Sequence, residues 1–347
     1  MQSLLHTYQR YKTLQTNKIS ALPIVILMPH SACNCRCVMC YIWKDNKNLK
    51  QLTEADVTGL LSSLKKFGTQ QVVMSGGEAS LHPNFFRFCE ILQKEKIKIS
   101  LLTTGLTIRK NADQLLQLVN DIIISIDGNE QLHDAIRNIP GAFKKIKEGV
   151  DHIKSVDPNY KITARTVIHK LNYQSWTSII DSAKKMQLDQ ISFLPADVSS
   201  HAFNREVLWN SAKQHELLLE ENELPQLKTI VDSIIKNYKD EIEDHFIAES
   251  AEKLKKIYEY YAAFYNLNSF PYKKCNAPWV STVIEADGTV RPCFFHEAIG
   301  NIHENSLDKI LNGEKGINFR KTLDMDTNSI CKKCVCYLNL PVRATIA

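Results

Sequence analysis

Six short runs rich in Ile, Val and Leu, at residues 23–29, 71–75, 97–103, 121–126, 161–168 and 190–194, punctuate the chain up to residue 200. Between them lie stretches with helical spacing, among them residues 85–96, 143–153 and 176–186. A brief apolar run such as PIVILMP at residues 23–29 suits a strand buried on both faces, as strands of a parallel sheet are when helices cover them. Strand and helix in regular succession predict an α/β fold, a partial (β/α)6 TIM-like barrel. Thr53 with Asp56 three residues on is a capping-box signal, and Val57, Leu60, Leu61 and Leu64 continue it as an amphipathic helix that Gly68 ends. In such barrels the reactive groups sit on loops that leave the C-terminal ends of strands.

Beyond residue 200 the pattern changes. Residues 224–238 and 251–265 have long helical periodicity with many charges, which predicts a helical bridge. Residues 279–285 and 289–294 are β-rich and flank Asp287-Gly288, a hairpin signal. The expected division is an N-terminal extension at 1–20, a barrel at 21–200, the bridge at 201–274 and a small hairpin-and-helix domain at 275–347.

The net charge is +5, but its carriers are mixed, as where Lys144, Lys145 and Lys147 stand beside Glu148 and Asp151. A solvated surface is the expectation, and no nucleic-acid partner. Residues 1–18 lack the apolar core of a signal peptide, and no stretch reaches the ~20 apolar residues that span a bilayer. The expected location is the cytoplasm, where ten cysteines stay reduced and open to metal.

Four of those cysteines, Cys33, Cys35, Cys37 and Cys40, fall within eight residues directly after the first strand run. Cys33, Cys37 and Cys40 have C-x3-C-x2-C spacing, and three thiolates on a four-iron cluster leave one iron for a non-protein ligand. Zinc is the competing occupant, since Cys35 or His30 would complete a closed four-ligand site. The second run ends in Ser75-Gly76-Gly77-Glu78, where paired glycines let backbone approach a ligand and Glu78 offers a charge for an ammonium. An ordinary strand-to-helix turn explains the glycines alone, and it is their place beside the cysteine loop that makes them specific.

Cys33-x3-Cys37-x2-Cys40, Gly76-Gly77-Glu78, and Ser125-Ile126-Asp127-Gly128 with His133, Asp134 and Arg137 together resemble the radical S-adenosylmethionine (radical SAM) enzymes, over about residues 20 to 200. The resemblance implies a [4Fe-4S] cluster whose open iron is chelated by S-adenosylmethionine, and one-electron cleavage to a 5'-deoxyadenosyl radical that takes a hydrogen from substrate. It implies that Cys33, Cys37 and Cys40 hold this cluster and that Gly76, Gly77 and Glu78 hold the methionyl amine. Ser125, Asp127 and Arg137 would lie near the ribose or carboxylate, and Leu194 near the adenine. The family often has an aromatic residue just before the third cysteine; here Met39 stands there and Tyr41 follows. Cys35 has no assigned role.

The late cysteines resemble the SPASM or twitch appendage of the same superfamily, through Cys275-x12-Gly288-x4-Cys293 and Cys331-x2-Cys334. That implies one auxiliary iron–sulfur cluster, [4Fe-4S] in kind, with Cys336 an alternative ligand; a four-cysteine zinc site has the same spacing. Cys89 reads as a buried small hydrophobe in a helix. Asp197, His201 and Arg165 are candidate catalytic or substrate-facing groups. The expected partners are a substrate and an electron donor such as flavodoxin or ferredoxin. An N-terminal extension shorter than a leader-binding domain of ~80 residues favours a small molecule over a ribosomally made peptide. Outside catalysis, the competing function is a zinc-stapled binding module.

Overall fold

The computed structural model describes residues 4–344, so the outermost residues of the expected first and last segments, 1–3 and 345–347, lie outside it. All six runs are strands: β1 (Ile24–Leu27), β2 (Gln71–Met74), β3 (Lys98–Thr103), β4 (Asp121–Ser125), β5 (Ile162–Ile168) and β6 (Gln190–Pro195). They pair in chain order as a parallel sheet that does not close. On the far side of β1 the C-terminal strands continue the same sheet. Strand β7 (Ser281–Ile284) pairs parallel to β1, and β8 (Thr289–Arg291) and β9 (Gly300–Asn301) follow antiparallel. The partial barrel therefore shares its sheet with the C-terminal hairpin, and β1 is an interior strand flanked by β2 and β7.

The strands alternate, as their period of two requires. Val25, Leu27, Val72, Met74, Ile122, Ile124, Ala164, Ile191 and Phe193 are buried in the core. The other face carries partly covered Ile26, Val73, Ser125, Val167, Ser192 and Leu194 and an exposed Arg165. Residues 246–249 shield the outer edge of β6: Ile247 bridges Ile191, and Ile191 N–H donates to Phe246 O at 2.7 Å. An edge covered in this way is not open to pairing with another chain.

Helix Glu54–Lys66 begins with the reciprocal Thr53–Asp56 capping box and ends at Gly68, whose φ of +59° is the left-handed conformation of a helix C-terminus. The hairpin turn needs Gly288 twice over. Its φ is +80°, and a Cβ there would stand 2.7 Å from the Asn301 Oδ1 atom.

Helix Leu4–Thr16 was not expected from the polar start of the chain. Its Leu4, Tyr8 and Tyr11 are exposed, so no apolar stripe announces it. It docks through polar groups instead: the Arg10 guanidinium donates to Pro341 O and Ala344 O at 2.5 and 2.7 Å, and Thr13 Oγ1 accepts from Ser20 N at 2.9 Å.

Glu249 accepts from the N–H of Phe193 at 3.0 Å, and burial raises its carboxyl from 4.5 to about 7. A raised carboxyl binds more protons in the folded than in the unfolded state between those two values, so stability falls as pH rises through that window. Glu249→Gln keeps the acceptor and removes the charge. Its thermal midpoint is expected to vary less than wild type from pH ~5 to ~7 and to exceed it above the window, as measured by thermal unfolding monitored by circular dichroism.

Candidate active site

The cysteine loop leaves β1 and is held by backbone bonds on several sides. Arg36 N donates to Arg137 O at 3.0 Å and Val38 N to Ile136 O at 3.1 Å, which zips the loop to the end of helix Glu130–Arg137. Glu78 N donates to Ala32 O at 2.8 Å, so the glycine turn after β2 abuts the same loop. A Cβ on Gly77 would lie 2.2 Å from Ala32 O, and Gly76 has a φ of +113°. Both glycines are therefore required by close backbone approach. Asn46 grips Cys33 by donating to its O at 2.9 Å and accepting from its N at 3.0 Å.

The Glu78 side chain does not meet the expectation of a free carboxylate for an ammonium. It is wholly buried and accepts from Ser80 Oγ at 2.6 Å, Thr104 N at 2.7 Å, and the Thr103 and Thr104 hydroxyls at 2.8 Å. Only the turn's backbone remains to face a ligand. Thr103 ends β3 and Thr104 follows it directly, and their place at a strand's C-terminal end was the signal that marks them.

Asp127 and Arg137 come together as a buried pair, with Arg137 Nε and Nη2 each 2.5 Å from Asp127 Oδ2. Arg137 Nη1 also lies 3.5 Å from Cys37 Sγ. Burial opposes the arginine's charge, but the Asp127 carboxylate and the Cys37 and Cys35 sulfurs keep it protonated. Asp127 Oδ1 is buried without a well-formed hydrogen bond, although the Val167 backbone lies near enough to favour the ionised carboxylate. Ser125 stands opposite Arg165, and Arg165 opposite Ser192, across β4, β5 and β6. Leu194 pairs with Val167 one step nearer the strand ends. Tyr41 turns toward Trp209, ring centroids 5.4 Å apart, with Lys44 Nζ 3.1 Å above its ring.

Asp197, expected to face substrate, is buried instead in an ion pair with Arg205 (2.5 Å) and accepts from Ser200 Oγ at 2.6 Å. Both of these contacts fall on Asp197 Oδ2, so that oxygen is committed to the ion pair. His201 is exposed and pairs through Nδ1 with Arg205 O at 3.0 Å. Arg165 bonds only Ser192 Oγ, at 3.3 Å, and stays exposed on the open face.

In the C-terminal region Cys275, Cys293, Cys331 and Cys334 gather although the sequence separates them. Burial raises the Cys293 thiol to about 12 and the Cys331 thiol to about 11, and Cys275 lies near enough to both, and Cys293 near enough to Cys334, for a thiolate at one to disfavour a thiolate at the next. Cys336 is exposed, and its carbonyl accepts from the Cys334 thiol at 2.9 Å. His296, missed in the sequence, is buried with Nε2 3.3 Å from Cys331 Sγ. Cys89 is fully buried in helix Phe85–Lys94, as expected.

A profile of the radical SAM superfamily matches residues 27–183, and one of the SPASM iron–sulfur cluster-binding domain matches residues 275–335. The chain belongs to the radical SAM superfamily. Among characterised relatives, the subtilosin biosynthesis protein AlbA of Bacillus subtilis is 26% identical over 81% of this chain, and the chain spans 57% of AlbA's length. Fe-coproporphyrin III synthase of Methanosarcina barkeri is 24% identical over 93% of the chain and 84% of the relative. The fold matches that of Streptococcus suis SuiB bound to its precursor peptide SuiA, with a TM-score of 0.66 at 16% identity over 96% of this chain and 74% of that one.

The cofactors of this radical SAM and SPASM architecture are S-adenosylmethionine and iron–sulfur clusters, and the donor chemistry fits them. Burial raises the thiols of Cys33 to about 11 and of Cys40 to about 12, so a metal is what would make them thiolates at neutral pH. Cys37 falls below its usual range, through a hydrogen bond from Cys35 and the charge of Arg137. Ile42 N–H donates to Cys40 Sγ at 3.4 Å, which suits a sulfur carrying negative charge. Among the described residues no three Cys, His, Asp or Glu side chains converge on one ion. A cluster takes one thiolate per iron and does not ask them to.

Glu78→Ala strips a buried acceptor from several donors and is expected to cost ~2–4 kcal/mol in urea unfolding, with Glu78→Gln losing less.

Proposed function

We propose that this radical SAM protein removes a hydrogen atom from a carboxylate-bearing small molecule as a step in its oxidation or in bond formation. Cys33, Cys37 and Cys40 hold the SAM cluster, and Cys275, Cys293, Cys331 and Cys334 hold one auxiliary cluster. The observation that carries the reading is the meeting of Cys37, Arg137 and Asp127 beside the Gly76-Gly77 turn, three separate stretches of chain joined at the end of β1. When bound, the reduced cluster supplies the electron that cleaves S-adenosylmethionine.

The remaining roles belong to the protein. The backbone of Gly76, Gly77 and Glu78 receives the methionyl amine, because the Glu78 side chain is already committed. The Asp127–Arg137 pair orients the polar end of the cofactor, and Oδ1 of Asp127 accepts from it. Ser125 and Leu194 line the same open face. Arg165, exposed there, hydrogen-bonded through Nε to Ser192 and close enough to Glu249 for its charge to act on that carboxyl, binds the substrate carboxylate through its remaining donors. A low-potential protein such as flavodoxin or ferredoxin delivers the electron.

Likeness to Fe-coproporphyrin III synthase over most of both chains supports a small molecule. Likeness to AlbA supports a second reading, the maturation of a ribosomally made peptide. Among the described residues no helix is long and apolar enough to cross a membrane.

Anaerobically reconstituted wild type is expected to hold about eight irons per chain with matching sulfide and, once reduced, to release 5'-deoxyadenosine. Cys37→Ala is expected to lose that release at least ~100-fold, on the scale of a lost metal ligand or its support. Cys334→Ala is expected to keep the first cluster while losing about half the iron. Zinc without sulfide in wild type, or full release from Cys37→Ala, would overturn the assignment. Arg165→Lys separates the substrate readings, since it is expected to weaken turnover of a carboxylate-bearing small molecule and not that of a peptide lacking one at the reacting end.

A further inference from the structure

Residues 197–209, directly after β6, touch both cysteine groups. On one side Phe203 O accepts from Tyr41 N at 3.1 Å, next to Cys40, and Arg205 Nη2 donates to Met39 O at 3.2 Å, between Cys37 and Cys40. On the other side the Phe203 ring packs edge-on to Phe294, centroids 5.0 Å apart, and 6.4 Å from Phe295, the two residues that follow Cys293.

The segment is built to hold its shape. Arg205 is buried and makes four further contacts of different kinds. It pairs with Asp197 Oδ2 at 2.5 Å and donates to Asp197 O at 2.7 Å and Ser200 O at 3.3 Å, and its guanidinium lies 4.0 Å from the Trp209 ring. Trp209 in turn meets Tyr41. Ala196, the residue just ahead of the segment, is pinned to helix Ala251–Ala263, where Tyr260 Oη donates to Ala196 O at 3.0 Å and Ala196 N donates to Tyr261 Oη at 3.0 Å. Phe203 and Asn204 both have positive φ, +63° and +58°. A bulky aromatic residue seldom takes that conformation, and it persists only where its surroundings over-determine it.

We propose that residues 197–209 form a positioning strap that couples the two cluster sites, Arg205 and Phe203 being its two fastenings. Order in the loop of Cys293 is transmitted through the Phe203 ring and backbone to the loop of Cys37 and Cys40, and so to S-adenosylmethionine. Neither residue touches the reacting atoms. The inference rests on the cysteine assignments above and names how the two sites communicate.

A double-mutant cycle on the reconstituted full chain tests it, with the dissociation constant of S-adenosylmethionine and the electron paramagnetic resonance line shape of the first cluster as readouts. The arms are wild type, Phe203→Ala, the auxiliary-site variant Cys331→Ala with Cys334→Ala, and their combination. Coupling through the strap predicts that each change weakens S-adenosylmethionine binding about fivefold, while the combination weakens it little more than either alone. Arg205→Lys, which keeps the charge but not the fork that reaches Met39 O, should alter the first cluster's line shape and leave the auxiliary signal in place. If Phe203→Ala does not fold, Phe203→Leu takes its place in the cycle. Effects that multiply to about 25-fold, or a Phe203 variant that binds within twofold of wild type, overturn the strap while both clusters stand. A wild type that shows no cluster signal overturns the cysteine assignment itself, a failure distinguishable from the first.

Discussion

The cysteine loop has no secondary structure of its own to hold it, so its shape is set by backbone hydrogen bonds to its neighbours. Ala32 accepts from Glu78, Arg36 and Val38 donate to the end of a helix, and Tyr41 donates to Phe203. Loops rarely hold side chains in place without such ties, and thiolates that share a cluster must be held in place. Every tie comes from a loop or helix at the C-terminal edge of the sheet. They meet there because β1 is an interior strand, with β2 on one side and β7 on the other.

Charge is handled with similar economy. Arg137 would be unfavourable where it sits without Asp127, since an isolated buried charge is costly. With Asp127 it becomes a fixed positive group beside Cys37, where negative sulfur is expected. Asp197 and Arg205 repeat the device on the opposite side of the loop, but there the pair is spent on holding Met39 and Ser200. Two buried aspartates near strand ends therefore serve different ends, and what separates them is what their arginine reaches: the Cys37 sulfur for Arg137, backbone carbonyls of Met39 and Ser200 for Arg205.

Much of the fold was legible because strand and helix here carry opposite, regular periods. The six runs, the capping box at Thr53 and the turn at Gly288 depend on contacts within a few residues of one another, and each formed where expected. The helix Leu4–Thr16 was not legible, because Arg10 recognises carbonyls more than three hundred residues away and leaves no apolar pattern in its own sequence. Glu78 was read as a free carboxylate because its partners Thr103 and Thr104 lie one strand further along.

The sequence by itself determined the chemistry on offer: three cysteines at C-x3-C-x2-C spacing, glycines where backbone must approach, and five more cysteines far downstream. Those properties reside in residue type and short-range spacing. Tertiary structure alone decided that β7 joins β1, that Asp197 is tied to Arg205, and that Phe203 reaches both cysteine groups. Such choices follow from which distant elements exclude water together, and burial of that kind has no local signature in the chain.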